Sequence, residues 1–157
     1  MSHKPLVCVI DANVALKLFF VQRLSDMADA VFAHLEADAK TRLYVPDFFY
    51  AECASAFVYY VRVMKYLPDD VKRDMAELHT LALKVVPTGE LASPALNIAL
   101  AHRINGYDAF YVALSAQVNA PLITADERLV TAMKGKPYDV NWLGAFPIPP
   151  ISTAEQA

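Results

Sequence analysis

The chain is poor in the residues that hold small or unusual folds together. Of its 157 residues only 2 are cysteine, Cys8 and Cys53, each set in an apolar run and far apart in sequence. That usage excludes a disulfide scaffold and fits small buried thiols in a reducing compartment. No CxxC pair occurs, so a zinc ribbon or a thioredoxin-type centre has no residues to stand on. Glycine numbers only 4, which excludes collagen-like and low-complexity chains. His3, His34, His79 and His102 show neither HExxH nor any paired spacing, so packing or surface roles are expected of them. A dominant positive charge is missing too: 14 basic against 17 acidic residues give a net charge of −3. A chain-wide positive field gripping nucleic acid is thereby excluded, whereas a local basic rim is not. No uncharged apolar stretch reaches the ~18 residues of a membrane span. Residues 6–21 are largely apolar, but Asp11, Asn13 and Lys17 interrupt them and no small-residue cleavage site follows, so a cytoplasmic protein is expected.

What is present is a core. Hydrophobic residues make up 56% of the chain and charged residues 20%, which excludes disorder as the main state. A chain of this length buries roughly 68–70% of its unfolded surface without staples. With no repeat and no linker, a single domain over residues 1–150 is expected, followed by a frayed tail at 151–157. Leu6-Val7-Cys8-Val9-Ile10 is a continuous β-branched run without polar alternation, the pattern of a strand buried on both faces of a parallel sheet. Residues 41–45 and 121–124 read as further buried strands, 85–86 as a brief one and 140–143 as an edge strand. Between them the periodicity predicts helices over 14–21, from Ser25 as N-cap to about residue 35, and over 48–64 with Asp47 as cap. Further helices are predicted over 68–84, from Ser93-Pro94 to 104, over 107–118 and over 127–134 with Asp126 as cap. Strands alternating with helices predict an α/β fold, a mainly parallel sheet with helices on both faces.

In such sheets the ligand site lies beyond the carboxyl ends of the strands. Asp11 follows the first strand directly, and Asp126 lies two residues past the strand at 121–124. Asp108 starts a helix about 18 Å long at 1.5 Å per residue. The returning segment, covering roughly 20 Å, brings Asp126 back to the edge that Asp108 left. Glu52 sits one turn inside its helix, and helical side chains lean toward the N-terminus, back to that same edge. Four carboxylates from four distant segments therefore converge. Carboxylates within about 4–6 Å of one another repel unless protonated or neutralised by a cation. Oxygen-only donors favour Mg²⁺ or Mn²⁺ over zinc. A cation so held orients phosphate oxygens and activates water, which points to hydrolysis of a phosphodiester. Taken singly, Asp11, Asp108 and Asp126 have ordinary readings as a strand end, a dipole-stabilised helix start and an N-cap. Glu52 in an apolar helix is harder to dismiss, since unpaired carboxylates rarely tolerate burial. Jointly the four outweigh those readings.

These residues carry a resemblance. Val9-Ile10-Asp11-Ala12-Asn13-Val14, Pro46-Asp47-Phe48-Phe49-Tyr50-Ala51-Glu52, Tyr107-Asp108-Ala109-Phe110-Tyr111-Val112-Ala113-Leu114 with Ala116, and Leu122-Ile123-Thr124-Ala125-Asp126-Glu127-Arg128-Leu129 resemble, in order and spacing, the PIN-domain ribonucleases. Among these they look most like the small VapC-type toxins of toxin–antitoxin systems. The resemblance implies a metal-dependent endoribonuclease with Asp11, Glu52, Asp108 and Asp126 as the acidic site. Asp11, Asp108 and Asp126 would hold Mg²⁺ or Mn²⁺, and Asn13 and Thr124 match polar positions that orient the cluster or its waters. It further implies an RNA substrate, a cognate antitoxin protein as partner, and a homodimer.

Rival readings fail on particular positions. A haloacid-dehalogenase-type phosphatase needs a second Asp two residues after the first, where this chain has Asn13. A phospho-receiver domain needs an adjacent acidic pair at the first strand and a late lysine, and neither is placed for it. A non-catalytic PIN scaffold that binds RNA or protein would have lost one or more acids, and none is lost. The aromatics Phe48, Phe49, Tyr50, Phe57, Tyr59 and Tyr60 crowd one helix and cannot all face one core, so part of that helix is expected to meet a partner. Tyr107, Phe110 and Tyr111 read as core, and Lys72-Arg73 as a solvated helix face.

Overall fold

In the computed structural model, which describes residues 4–151, strand β1 (Val7–Ile10) lies at the centre of a five-stranded sheet. Next to it on one side stand β2 (Arg42–Pro46) and then β3 (Lys84–Val86), and on the other β4 (Leu122–Thr124) and then β5 (Val140–Trp142). Every pairing is parallel, with Val9 opposite both Tyr44 of β2 and Leu122 of β4. The alternation of a strand decides the two faces. Cys8, Ile10, Leu43, Val45 and Ile123 point to one side, where they pack with α2 (Ser25–Ala37), α3 (Phe49–Arg62) and α4 (Pro68–Thr80). Val9, Tyr44 and Leu122 point to the other, against α5 (Thr88–His102), α6 (Gly106–Val118) and α7 (Glu127–Met133). The result is the α/β/α arrangement that the buried strand runs predict. No helix among the described residues is long and apolar enough to cross a membrane.

Several elements depart from the sequence expectation. After β1 the helical run divides into α1 (Ala12–Ala15) and a 3₁₀ turn over Leu16–Leu18. Ser25 does not cap α2; Leu24 does, in the left-handed region at φ 69°, while Ser25 Oγ accepts from Gln22 N–H at 3.0 Å. Asp47 does not cap α3 either. Its Oδ1 accepts from Thr88 N–H at 3.3 Å, tying the β2–α3 turn to the start of α5. Helix α5 begins at Thr88 and runs through Pro94 instead of starting there. Pro94 is exposed, whereas Leu91, Ala95 and Ile98 form a buried stripe at i, i+4 and i+7. Burial of that stripe, roughly 1.5–3 kcal/mol for each large apolar side chain, offsets the backbone hydrogen bond that proline removes.

The histidines split as expected between packing and surface. His34 is buried and donates from Nε2 to the Pro149 carbonyl at 2.8 Å, pinning the last described segment to α2. His79 stacks on Tyr50 and His102 meets Tyr138 edge-on. His3, and the tail from residue 152 onward, lie outside the described residues. Lys72 and Arg73 are exposed and pair with Asp69 and Asp70 one turn earlier.

Candidate active site

The chain steps outward from β1 to β2 and β3, then crosses to β4 and β5, so the strand order reverses between β1 and β4. A crevice outside the carboxyl ends of the strands is expected at such a point. Asp11 stands there at the end of β1 and Thr124 at the end of β4. Asp11 is only 5% exposed. Its extended backbone makes it the N-cap of α1, with its side chain accepting from Asn13 N–H at 3.4 Å.

Thr124 uses every hydrogen-bonding valence of its hydroxyl. It donates to Asp11 Oδ2 at 2.9 Å and accepts from Asn13 Nδ2 at 3.2 Å and from Asp126 N–H at 3.1 Å. Asn13 completes the clasp by accepting from Ala125 N–H on Oδ1 at 3.0 Å, which settles the orientation of its amide. One threonine and one asparagine thereby hold the β1–α1 turn against the end of β4 and orient Asp11 between them. Asp126 follows as the N-cap of α7, accepting from Arg128 N–H at 2.9 Å.

A second network arrives from the other side. Tyr111, buried on α6, donates its hydroxyl proton to Glu52 Oε1 at 2.6 Å and accepts from Ala12 N–H at 3.3 Å. The hydroxyl joins three elements: α6, α3 and the turn after Asp11. Tyr111 is a core residue by burial, as its sequence suggests, but its polar end belongs to the site. A tyrosine hydroxyl must find a partner when the ring is buried, and that requirement was the only sequence signal available. Tyr107 departs further from expectation. It is 61% exposed, not core.

The electrostatics bind the four acids into one system. Burial pushes Asp11 up to about 7, the Thr124 bond opposes that shift, and the charges of Glu52 and Asp108 add to it. Glu52 is raised by burial and by Asp108, against the stabilising bond from Tyr111. Asp108, in the first turn of α6, is raised by burial and by the charge of Asp126. The acids are thereby linked in a chain, Asp11 to Glu52 and Asp108, and Asp108 in turn to Asp126. They do not form a closed cage, and among the described residues no group of three or more Asp, Glu, His or Cys side chains is drawn together to grip a metal. An open set of carboxylate oxygens still fits Mg²⁺, which keeps several waters and uses only one or two carboxylates plus phosphate oxygens. Cys53, beside Glu52, is pushed up to about 12 by burial and by the acids, so its thiol stays protonated and is no nucleophile. Both cysteines are free and buried.

Known proteins resemble this chain in sequence and in fold. Residues 8–134 match the family model described as PIN domain. Ribonuclease VapC3 of Pyrobaculum aerophilum is 28% identical over 123 residues, spanning 77% of this chain and 90% of that protein. A toxin–antitoxin complex from Klebsiella pneumoniae superposes with a TM-score of 0.58 at 18% identity, covering 85% of this chain and 95% of that one. VapBC2 from Rickettsia felis, bound to a DNA fragment from its promoter, gives 0.58 at 10% identity over 87% and 98%.

Proposed function

The chain belongs to the PIN domain family, and on that premise we propose that it is a divalent-metal-dependent endoribonuclease, the toxin of a toxin–antitoxin pair acting in the cytoplasm. The observation that supports this reading is buried Asp11 at the strand-order reversal, raised to about 7 with Glu52 and Asp108 acting on it and Asp126 acting on Asp108. Asp11, Asp108 and Asp126 would hold Mg²⁺ or Mn²⁺. The chemistry such an ion supplies when bound is neutralisation of the acids, orientation of phosphate oxygens and a more acidic water.

The chain's own residues prepare for this. Thr124 Oγ1 and Asn13 N–H fix both oxygens of Asp11. Tyr111 fixes Glu52 by Oε1 and leaves Oε2 clear of that bond, where its raised proton affinity suits an acceptor from attacking water. The absence of a competent thiol at Cys53 supports water as nucleophile.

The partner reading rests on the far half of α3. A groove of about 330 Å³ between α3 and α4, lined by Phe57, Val58, Val61, Val71 and Met75, suits the apolar face of an antitoxin helix. An arginine or lysine from that partner would pair with the acids and block them. The similar Klebsiella pneumoniae structure, a toxin–antitoxin complex, supports an antitoxin as the partner. Exposed Tyr59, outside the groove, is assigned to a homodimer contact.

The test is cleavage of single-stranded or looped RNA by the partner-free chain. We expect cutting with Mg²⁺ or Mn²⁺, none with EDTA, and a loss of at least roughly 100-fold in Asp11→Asn or Asp108→Asn, the scale on which removing one charge-stabilising group acts. Full cleavage by both folded variants in metal-free buffer would overturn the mechanism.

A further inference from the structure

Beside the acids lies a hollow of about 440 Å³ lined by Phe48, Ala51, Glu52, Ser55 and Tyr107. It shares Glu52 with the candidate site, and Tyr107 in its wall is the sequence neighbour of Asp108. Its wall is aromatic and held still. Phe48 meets Tyr107 edge-on at 5.3 Å and 76°, and is itself braced by Phe110 at 5.3 Å and Tyr111 at 5.6 Å. The backbone under Tyr107 is fixed as well, because Asn105 caps α6 by accepting from Tyr107 N–H at 2.8 Å. Tyr107 is thus an exposed ring on a rigid mount, adjacent in sequence to Asp108.

The chemistry of the lining selects what enters. Among the described residues no lysine or arginine lines the hollow, and Glu52 places negative charge in it. An RNA phosphate is repelled there, whereas a nucleobase is neutral, flat and able to stack on an aromatic ring. Ser55 adds a hydroxyl able to meet a base edge. A base in a duplex is already stacked and cannot enter.

We propose that Tyr107, braced by Phe48, is the stacking platform for the unpaired nucleobase adjacent to the scissile phosphate, which restricts the enzyme to single-stranded or looped RNA. This inference rests on the ribonuclease reading, and its test separates the two.

The probe is a single-stranded RNA with a mapped cut, carrying 2-aminopurine at successive positions around that cut. Binding is followed on the Asp11→Asn chain, where no turnover interferes. Fluorescence is expected to be quenched at one position, with quenching retained in Tyr107→Phe and lost in Tyr107→Ala and Tyr107→Leu. The leucine variant keeps apolar bulk but has no π face. In the cleavage-competent chain, Tyr107→Ala should raise KM by roughly 10-fold or more, the scale of base–aromatic stacking. The loss should fall in KM rather than kcat, as for binding shared by ground and transition states. An abasic residue at the quenched position should cost the wild-type chain a similar factor and cost Tyr107→Ala nothing further. Quenching that persists in Tyr107→Ala, or an unchanged KM, overturns the platform while leaving the ribonuclease reading intact. A Tyr107→Ala effect on antitoxin binding alone overturns it too, in favour of a protein contact. Should the wild-type chain cut no RNA, the same scan is run along an unpaired RNA, and Tyr107-dependent quenching there keeps the ring as a base-stacking surface while sinking the ribonuclease reading.

Discussion

In the first turn of α3, Glu52 is half-buried, hydrogen-bonded to Tyr111 and raised by the charge of Asp108. Two turns later on the same helix, Val58 and Tyr59 stand in water, and beyond the helix Leu67 is 65% exposed. The first end concentrates charge where it costs stability, and the second leaves apolar surface where burial would add stability. Neither arrangement makes sense for an isolated chain seeking its lowest free energy. Each suits a ligand: a cation and RNA at one end, an apolar partner at the other. The comparison also separates the consequences of mutation. Changes at the acid end should move both stability and chemistry, whereas changes at the apolar end should move neither until a partner is present.

The largest expected effect comes from relieving the buried charge. For an acid raised from 3.8 to about 7, ionisation is disfavoured in the folded state. Its contribution to stability is fully present below the unfolded value and is lost as pH rises through about 7. The metal-free protein should therefore melt at a lower temperature at pH 8 than at pH 5.5. Glu52 and Asp108, raised in the same direction, add to the trend. Such a displacement corresponds to up to roughly 4 kcal/mol at high pH. Asp11→Asn removes that penalty but cannot accept from both Thr124 and Asn13 N–H, and surrendering one bond costs about 1 kcal/mol. We expect a net gain of roughly 2–3 kcal/mol for the metal-free variant at pH 8, with a flatter pH profile. A wild-type melting temperature that is constant or rises from pH 5.5 to 8 in EDTA would show that the acid end holds no such strain.

The contrast between the two ends was only partly legible in the sequence. The four acids could be placed because each closes a strand or opens a helix, and the carboxyl edge of a parallel sheet collects such positions. Asn13 and Thr124 lie within two residues of Asp11 and Asp126, so local spacing exposed them; the structure joins them through hydrogen bonds between the ends of the neighbouring strands β1 and β4. Tyr111 and Tyr107 share an apolar helix and look alike in sequence, yet one is sealed and the other stands out. Their fates depend on what α6 packs against, which no local pattern records. The same reason accounts for Asp47, whose side chain turns from the start of α3 to Thr88, 41 residues away. It also accounts for Pro94, carried inside α5 by a buried stripe. Short-range chemistry was readable, and long-range partners were not.

Tyr111→Phe sharpens the acid end with an intermediate effect. The ring stays buried while Ala12 N–H loses its acceptor and Glu52 its donor. Leaving those groups unsatisfied should cost roughly 1–3 kcal/mol. Glu52 should then be raised further, since the bond from Tyr111 is what lowers it. Cleavage should fall by roughly 10–100-fold, as for other groups that orient a metal-site carboxylate, and the pH–rate profile should shift to higher pH. A purely structural tyrosine would lose stability and leave that profile in place, so denaturant melts and a pH series on the same sample decide between the roles.

The smallest effect on the chain itself should come from the apolar end. Val58→Gln and Tyr59→Gln change exposed positions on α3, and glutamine suits a helix at least as well as the residues it replaces. Stability of the free protein should stay within about 0.5 kcal/mol of wild type, and RNA cleavage should be unaffected. The two differ in what surrounds them. Val58 lines the groove between α3 and α4, and Tyr59 does not. If the groove receives an antitoxin helix, Val58→Gln removes a side chain worth roughly 1.5–3 kcal/mol when fully buried and should weaken that complex by tenfold or more, leaving self-association alone. If Tyr59 serves a homodimer, its substitution should instead shift the mass measured by light scattering at micromolar concentration. Co-expression with the product of the adjacent gene, followed by titration of each variant, reads both outcomes from the same material. Equal antitoxin affinity for Val58→Gln and wild type would empty the groove of its assigned partner. A monomeric wild-type chain would remove the dimer separately, leaving the exposed half of α3 to be explained by the antitoxin alone.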